Sequence, residues 1–405
     1  MERRLSIALA LCLVVAGVGA AHAERPRRAP LKGTGEGLKL IANVPYEGGT
    51  DMEFATIKGH DYAFVGAAPG VGGAASGALR VINIDNPAKP KVVATLNCAL
   101  YQADIQISHD KKTLIMGADS TGGPEACLMV GKTGFMTVDI SNPLKPRPLG
   151  IGEIRFGSHN ITAHPTKPYI YNSDSERTNA NIEIWSIKNP AKPEKIKDVP
   201  SLPHSPHDIS FNADGTRAVT AARTHFDIFD TRDPENPKLL FTGQCPGCYL
   251  THDAKFTPDG KHIILGDEAN GGGAYPCGVL GALYFYELQG SAEQPIAVLV
   301  GMYMPNELVS AGGGTELAAC TSHVFDISND SKRLSISWYS AGTRYLDISN
   351  MNGITFGQMG NGVKELGWFI PEGGVSWSSK MFKGPYIYSN DEFRGFDVFK
   401  IDAKK

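Results

Sequence analysis

Four histidines of the chain, His159, His207, His252 and His323, open the same phrase of a recurring unit, at intervals of 48, 45 and 71 residues. Neutral imidazoles that converge on one point are donors for a transition metal, with copper or iron the expected ion and zinc less favoured. Carboxylates end a neighbouring strand of the same units: Asp174, Asp267 with Glu268, and Asp391 with Glu392. They are candidates to fix the imidazole tautomers from behind, or to ligate directly. A structural reading competes with this one. In His159-Asn160, His207-Asp208 and His252-Asp253 the paired polar side chains can hydrogen-bond adjacent loops. Strand alternation puts the histidines on the side of Ile161, Ile209, Phe256 and Phe325, which favours packing between units. No residue is assignable to catalysis from these patterns. Glycine-rich pieces such as Gly70–Gly77 lack the Walker spacing and a strand-to-helix context, so no phosphate or nucleotide cofactor is expected.

Six cysteines beyond the N-terminal apolar run form the second constellation: Cys98, Cys127, Cys245, Cys248, Cys277 and Cys320. Cys245-Pro-Gly-Cys248 has redox spacing, but reactivity in such a pair needs a helix N-terminus, which a link between strands lacks. Structural disulfides are the expectation. Cys98 and Cys127 fall in neighbouring loops, and Cys245 with Cys248 and Cys277 with Cys320 complete the preferred set. Cys248 close to His252 leaves a mixed thiolate and imidazole site as the alternative.

These residues are positioned by a repeat. INIDNPAKP (82–90), TVDISNPLKP (137–146), IWSIKNPAKP (184–193) and IFDTRDPENP (228–237) are variants of one strand-turn phrase. A β-rich run leads into a turn where Asp or Ser can bond the backbone and proline ends ladder donation. A second phrase opens each unit, as in PHDISFNADGTRAVTA and THDAKFTPDGKHIILG: strand, tight turn, strand. Counting Asp51 at the front and Ser376 at the back, the phrase occurs seven times. The spacing leaves room for four strands each. The last unit stops after Gly395–Ile401, while an orphan run, Leu38–Pro45, precedes the first. Pairing the two closes a ring with no free edge. The prediction is an all-β, seven-bladed β-propeller of four antiparallel strands per blade, one domain over residues 38–405, closed by an N-terminal strand in the last blade. The histidines, the cysteines and the insertions 120–130, 269–279 and 305–320 then share one face.

Residues 79–96 and 134–149 closely resemble the LVIVD repeat, named for its strand motif, and degenerate copies continue to Phe396–Ile401. The resemblance implies a propeller and says little about chemistry. SPHDIS (205–210) and the DIS-N-P run at 139–143 are more distantly similar to selenium-binding proteins of the methanethiol oxidase type. There, histidine-rich inner strands serve copper-dependent oxidation of a thiol.

Residues 1–23 read as a secretory signal peptide: Arg3 and Arg4, the apolar run Ile7–Val18, then Ala21-His22-Ala23. Residues 24–37 read as a disordered lead-in. No later stretch reaches the roughly 18 apolar residues of a membrane span. A net charge of −3 gives no footprint for nucleic acid. The expectation is a secreted or periplasmic monomer. It either holds a metal through the histidine ring, with oxidoreductase action on a small molecule, or is a metal-free scaffold for an extracytoplasmic protein or glycan on the insertion-bearing face.

Overall fold

The computed structural model describes residues 31–402, apart from 75–76, 99, 101, 120–126, 130, 174–181, 200–203, 270–280 and 306–319. Seven antiparallel sheets stand around an axis, as the repeat predicts. Their innermost strands are Gly49–Ile57, Gln102–Ile107, Asn160–Ala163, Asp208–Phe211, Thr251–Phe256, Phe325–Ile327 and Ser376–Met381, numbered here as blades one to seven. The ring closes as expected: Leu38–Val44 pairs antiparallel with Gly395–Ile401, from Leu38 opposite Ile401 to Val44 opposite Phe396.

One irregularity marks the closing strand as a true member of the repeat. In every blade the ladder between third and fourth strands shifts register once, leaving an apolar residue of the outer strand unpaired: Val93 in blade one, Ile196 in blade three, Leu366 in blade six. Leu38–Val44 carries the same bulge at Ile41. A bulge adds local twist, which lets each outer strand follow the curvature of the ring.

The turns after the third strands form through the residue before proline. Asn86, Asn142, Asn189 and Asp233 each accept from the backbone N–H two residues on, at 3.1, 3.2, 3.1 and 3.1 Å. This corrects the expectation that the preceding Asp or Ser closes the turn. Apolar clusters sit between blades, one at each of the seven junctions. Phe64 and Met116 join blades one and two, and Tyr345 and Phe399 join six and seven. No single central core exists, so each blade is stabilised by its neighbours.

Two additions depart from four strands per blade. Gly353–Phe356 and Met359–Gly360 extend blade five, Gly353–Phe356 running parallel to Pro295–Met304. Gly33–Glu36 adds a fifth strand to blade six against Lys364–Pro371, so the lead-in expected to be disordered over 24–37 is strand at its C-terminal end. The expected signal peptide lies outside the described residues. Disulfides join Cys98 to Cys127 and Cys245 to Cys248. Cys320 is also disulfide-bonded, and Cys277, its expected partner, lies outside the described residues.

Deleting residues 31–44 removes the closing strand. The melting transition is expected to drop by roughly 5 °C or more, with aggregation through the bared edge of Gly395–Ile401. An unchanged melt would contradict closure. Replacing Cys98 and Cys127 by serine, which opens a bridge of sequence separation 29, is expected to cost about 3 to 4 kcal/mol in denaturant unfolding.

Candidate metal centre

Blade-to-blade side-chain bonds surround the axis. Asp51 accepts from Ile105 N–H at 3.3 Å, Asp104 from Ile161 N–H at 2.6 Å, and Asn160 donates to the His207 carbonyl at 2.9 Å. His207 Nδ1 donates to the His252 carbonyl at 3.0 Å, and Asp253 accepts from Phe325 N–H at 3.4 Å. His323 Nδ1 donates to the Trp377 carbonyl at 2.6 Å, and Lys380 donates to the Met52 carbonyl at 2.7 Å. Each innermost strand is thereby tied to the next around the whole ring.

The histidines belong to this clasp and also converge. Consecutive ring centroids from His159 through His207 and His252 to His323 lie 4.6, 4.2 and 4.1 Å apart. Their Nδ1 bonds decide what the other nitrogen can be. His207 and His323 spend Nδ1–H on carbonyls, and His159 spends it on the Asp119 carboxylate at 2.7 Å. A neutral imidazole that donates from Nδ1 carries a bare lone pair on Nε2. Yet His159 Nε2 and His207 Nε2 face each other at 2.9 Å. Asn160 Nδ2 also faces His207 Nδ1 at 3.1 Å, so an Nε2–H on either ring closes this contact as an N–H···N hydrogen bond between blades three and four. Burial, and then the neighbouring His159, hold His207 well below the usual imidazole pKa. Ligands of one tetrahedral ion, each roughly 2.0 to 2.1 Å from it, stand about 3.3 Å apart. A small outward shift of two rings would admit it.

Glu268 completes the group. His207, His252 and Glu268 each present a ligand atom within 4.8 Å of the others, all three residues buried. The carboxylate lies 3.8 Å from both His252 Nε2 and His323 Nε2. Tyr339 donates to it at 2.6 Å. Tyr339 sits at φ 43°, a left-handed conformation that costs a bulky residue on the order of 1 kcal/mol or more. That backbone directs its phenol at Glu268 and its ring against His323, 4.6 Å away. Burial raises the Glu268 pKa to about 7, lowers that of His323 to about 4, and holds His252 well below its usual value. A buried carboxylate beside three imidazoles whose basicity burial lowers, those of His207, His252 and His323, forms a site complementary to a cation.

The four imidazoles, Glu268 and Tyr339 line an axial cavity of about 780 Å³. Asp104, Asp208, Asp253 and Asp326 line it with Lys255 and Lys380. Lys380 pairs with Asp51 at 3.0 Å and Glu53 at 2.8 Å, and Lys255 pairs with Asp253.

The four histidines therefore stand in a row of ring contacts, and of them His207 and His252, with Glu268, bring ligand atoms within 4.8 Å of one another. Among the carboxylates, Glu268 stands at ligand distance and Glu392 lines the cavity. Asp267 accepts from the backbone N–H groups of Tyr249, Leu250 and Gly281, which anchors loops. Asp391 accepts from Phe393 and Arg394 N–H. Asp174 lies outside the described residues. Cys248 is consumed in its disulfide, which removes the mixed thiolate site. Asp119 and the axial carboxylates escaped the sequence reading. Asp119 follows the second strand of blade two, where Glu268 stands in blade five, so the repeat carried its signal.

No family model matches the chain, and no curated protein does. Among solved structures, the chain is similar to a functionally unknown protein of Desulfotomaculum acetoxidans: 17% identity, 74% of this chain and 83% of that one, TM-score 0.54. It is similar to the Cps50 (Swd1) β-propeller domain of Myceliophteria thermophila at 10% identity, over 90% and 100%, TM-score 0.60. A third is Kuenenia stuttgartiensis hydrazine synthase at 13%, over 82% and 94%, TM-score 0.58. Identities this low carry the fold alone.

Glu268→Gln separates stability from binding. The folded pKa of Glu268 is raised, so its destabilising charge is fully present above about pH 7 and vanishes as pH falls below the unfolded value, 4.5. Gln keeps the acceptor for Tyr339. In metal-free protein the variant is expected to be more stable by up to about 3 kcal/mol at pH 8, with the gain lost near pH 4.5. Urea melts at the two pH values check this.

Proposed function

We propose that the chain is an exported metalloprotein whose histidine ring and Glu268 hold one transition-metal ion, copper or iron ahead of zinc, and which acts as a monomeric oxidoreductase on a small molecule. The grouping that carries the reading is His207, His252 and Glu268, all buried, with one ligand atom of each within 4.8 Å of the others. Four imidazoles and a carboxylate offer more donors than a closed tetrahedral zinc site uses, which favours copper or iron. Either ion would supply one-electron redox chemistry and Lewis acidity. Asp119 and the Trp377 carbonyl orient the rings of His159 and His323. Glu268, whose Oε1 accepts from the Tyr339 hydroxyl, would hold the ion through the Oε2 that faces His252. Export is supported by the N-terminal sequence pattern and by the disulfides.

Metal analysis of protein isolated from its native compartment is expected to give about one copper or iron per chain. Ion in hundredfold excess over its Kd stabilises by about 2.7 kcal/mol, so chelation should lower the melting transition measurably. His207→Ala should abolish both the metal and the chelator sensitivity. Protein that carries no metal and binds none would leave the scaffold reading, a protein or glycan partner on the insertion-bearing face.

A further inference from the structure

The axial cavity that the histidines share raises a further question, because acidic side chains outnumber Lys255, Lys380 and Arg223 along its wall. The two lysines are already committed to Asp51, Glu53 and Asp253. Asp104, Asp208 and Asp326 line the same space with no ion pair among the described residues. Asp253, 1% exposed, has Oδ1 without a hydrogen-bond partner although its other oxygen is paired. The interblade clasp accounts for one oxygen each of Asp104 and Asp326, through Ile161 N–H and Met381 N–H. It does not require that negative charge surround a cavity.

We propose that the axial cavity binds a small organic cation bearing primary ammonium groups, held by Asp104, Asp208 and Asp326. The size of the space favours an organic ligand over a bare ion. About 780 Å³ lies within the range of small-molecule pockets. Among the described residues only His207, His252 and Glu268 bring three ligand atoms within 4.8 Å of one another, so the axial carboxylates are too far apart to share one dehydrated metal ion. An ammonium group brings three donors of its own and can bond carboxylates on separate blades. Trp377 and Tyr339, which also line the cavity, offer aromatic faces suited to a cation. The electrostatics agree. Burial, then the like charges of Asp51 and Asp208, push the Asp104 pKa well above the carboxylate range, and burial lifts Asp326 to about 6. The Lys255 and Lys380 charges offset the rise at Asp326 only in part. Binding here does not depend on the metal reading, since none of the three is placed at the ion.

Calorimetric titration of the full chain lacking its signal peptide, at 0.15 M salt and after chelation, tests the site with 1,4-diaminobutane, with its neutral analogue 1,4-butanediol, and with calcium and magnesium. The diamine is expected to bind and raise the melting transition, and the diol to do neither. Asp104→Asn and Asp326→Asn, which keep an acceptor for Ile161 and Met381 N–H, should each weaken the diamine tenfold or more while leaving metal content at the histidines unchanged. Diamine and diol binding alike, or variants binding the diamine like the parent, would overturn the proposal. Calcium or magnesium binding without diamine binding would overturn it in favour of an inorganic ion. Repeating the titration with copper restored separates the two sites: loss of metal binding with the diamine retained defeats only the metal reading.

Discussion

Every blade of this protein is held at the axis by a side chain that bonds the backbone of the next blade. The links run from Asp51 to Ile105, Asp104 to Ile161, Asn160 to His207, His207 to His252, Asp253 to Phe325, His323 to Trp377, and Lys380 back to Met52. Inner strands of three to nine residues bury little apolar surface of their own. Their relative position comes from these polar bonds and from the apolar clusters farther out. The chemistry of the axis follows from this constraint. A strand that must offer a polar hook to its neighbour carries Asp, Asn, His or Lys there, and seven such hooks around one line concentrate ionisable groups in a place shielded from water.

That concentration is costly. Buried carboxylates whose pKa values rise, and buried imidazoles whose values fall, each record free energy lost to desolvation. Where the fold needs only a clasp it can use cheaper chemistry, as blade seven does with Ser378 bonding the Thr50 carbonyl at 3.0 Å. Four successive histidines, a buried glutamate and a tyrosine held at positive φ go beyond what clasping demands. The excess is concentrated in blades three to six, on the side where Glu268 and Tyr339 reach the axis. Structural need explains the Nδ1 bonds. It does not explain why Glu268 stands with His207 and His252 at ligand distance.

The seven units, the closing pair and the histidine ring were legible because a repeat turns position in sequence into position around a circle. Aligning five phrases placed His159, His207, His252 and His323 on one rim before any distance was known. The same alignment held Asp119, just after the second strand of blade two, but attention to Asp-Glu and Asp-Asn pairs passed over a lone Asp. The carboxylates of the axis were less visible, since Asp104, Asp208 and Asp253 follow the reference position by one residue. Simple alternation assigns such residues to the opposite side of the strand. Register shifts at Gln102/Ile105 and Thr251/Asp253 rotate two of these strands locally and turn Asp104 and Asp253 to the axis, whereas Asp208 reaches it at the first residue of an unshifted ladder. A bulge of this kind leaves no mark in composition or period. The turn chemistry was misassigned by one residue for a related reason: Asp, Ser and Asn can all close the loop, and only the backbone shows that the residue before proline does so.

The loops above the ring are anchored with comparable care. Asp267 spends one oxygen on Tyr249 and Leu250 N–H and the other on Gly281 N–H, while its carbonyl accepts from Thr321 and Ser322. The Cys245–Cys248 bridge lies immediately before Tyr249, and Tyr249 and Leu250 line the cavity with Glu268. Asp267 therefore fixes the rim while its neighbour Glu268 faces the histidines, so two adjacent carboxylates with the same sequence signal serve different tasks. Strand geometry enforces the division: successive side chains point to opposite sides, and only one can reach the axis. A site built this way moves little when a ligand arrives, because its donors stand on strands clasped to both neighbours and its rim is tied by a disulfide and a buried carboxylate. Such preorganisation keeps the donors of His207, His252 and Glu268 at fixed positions in the buried axis.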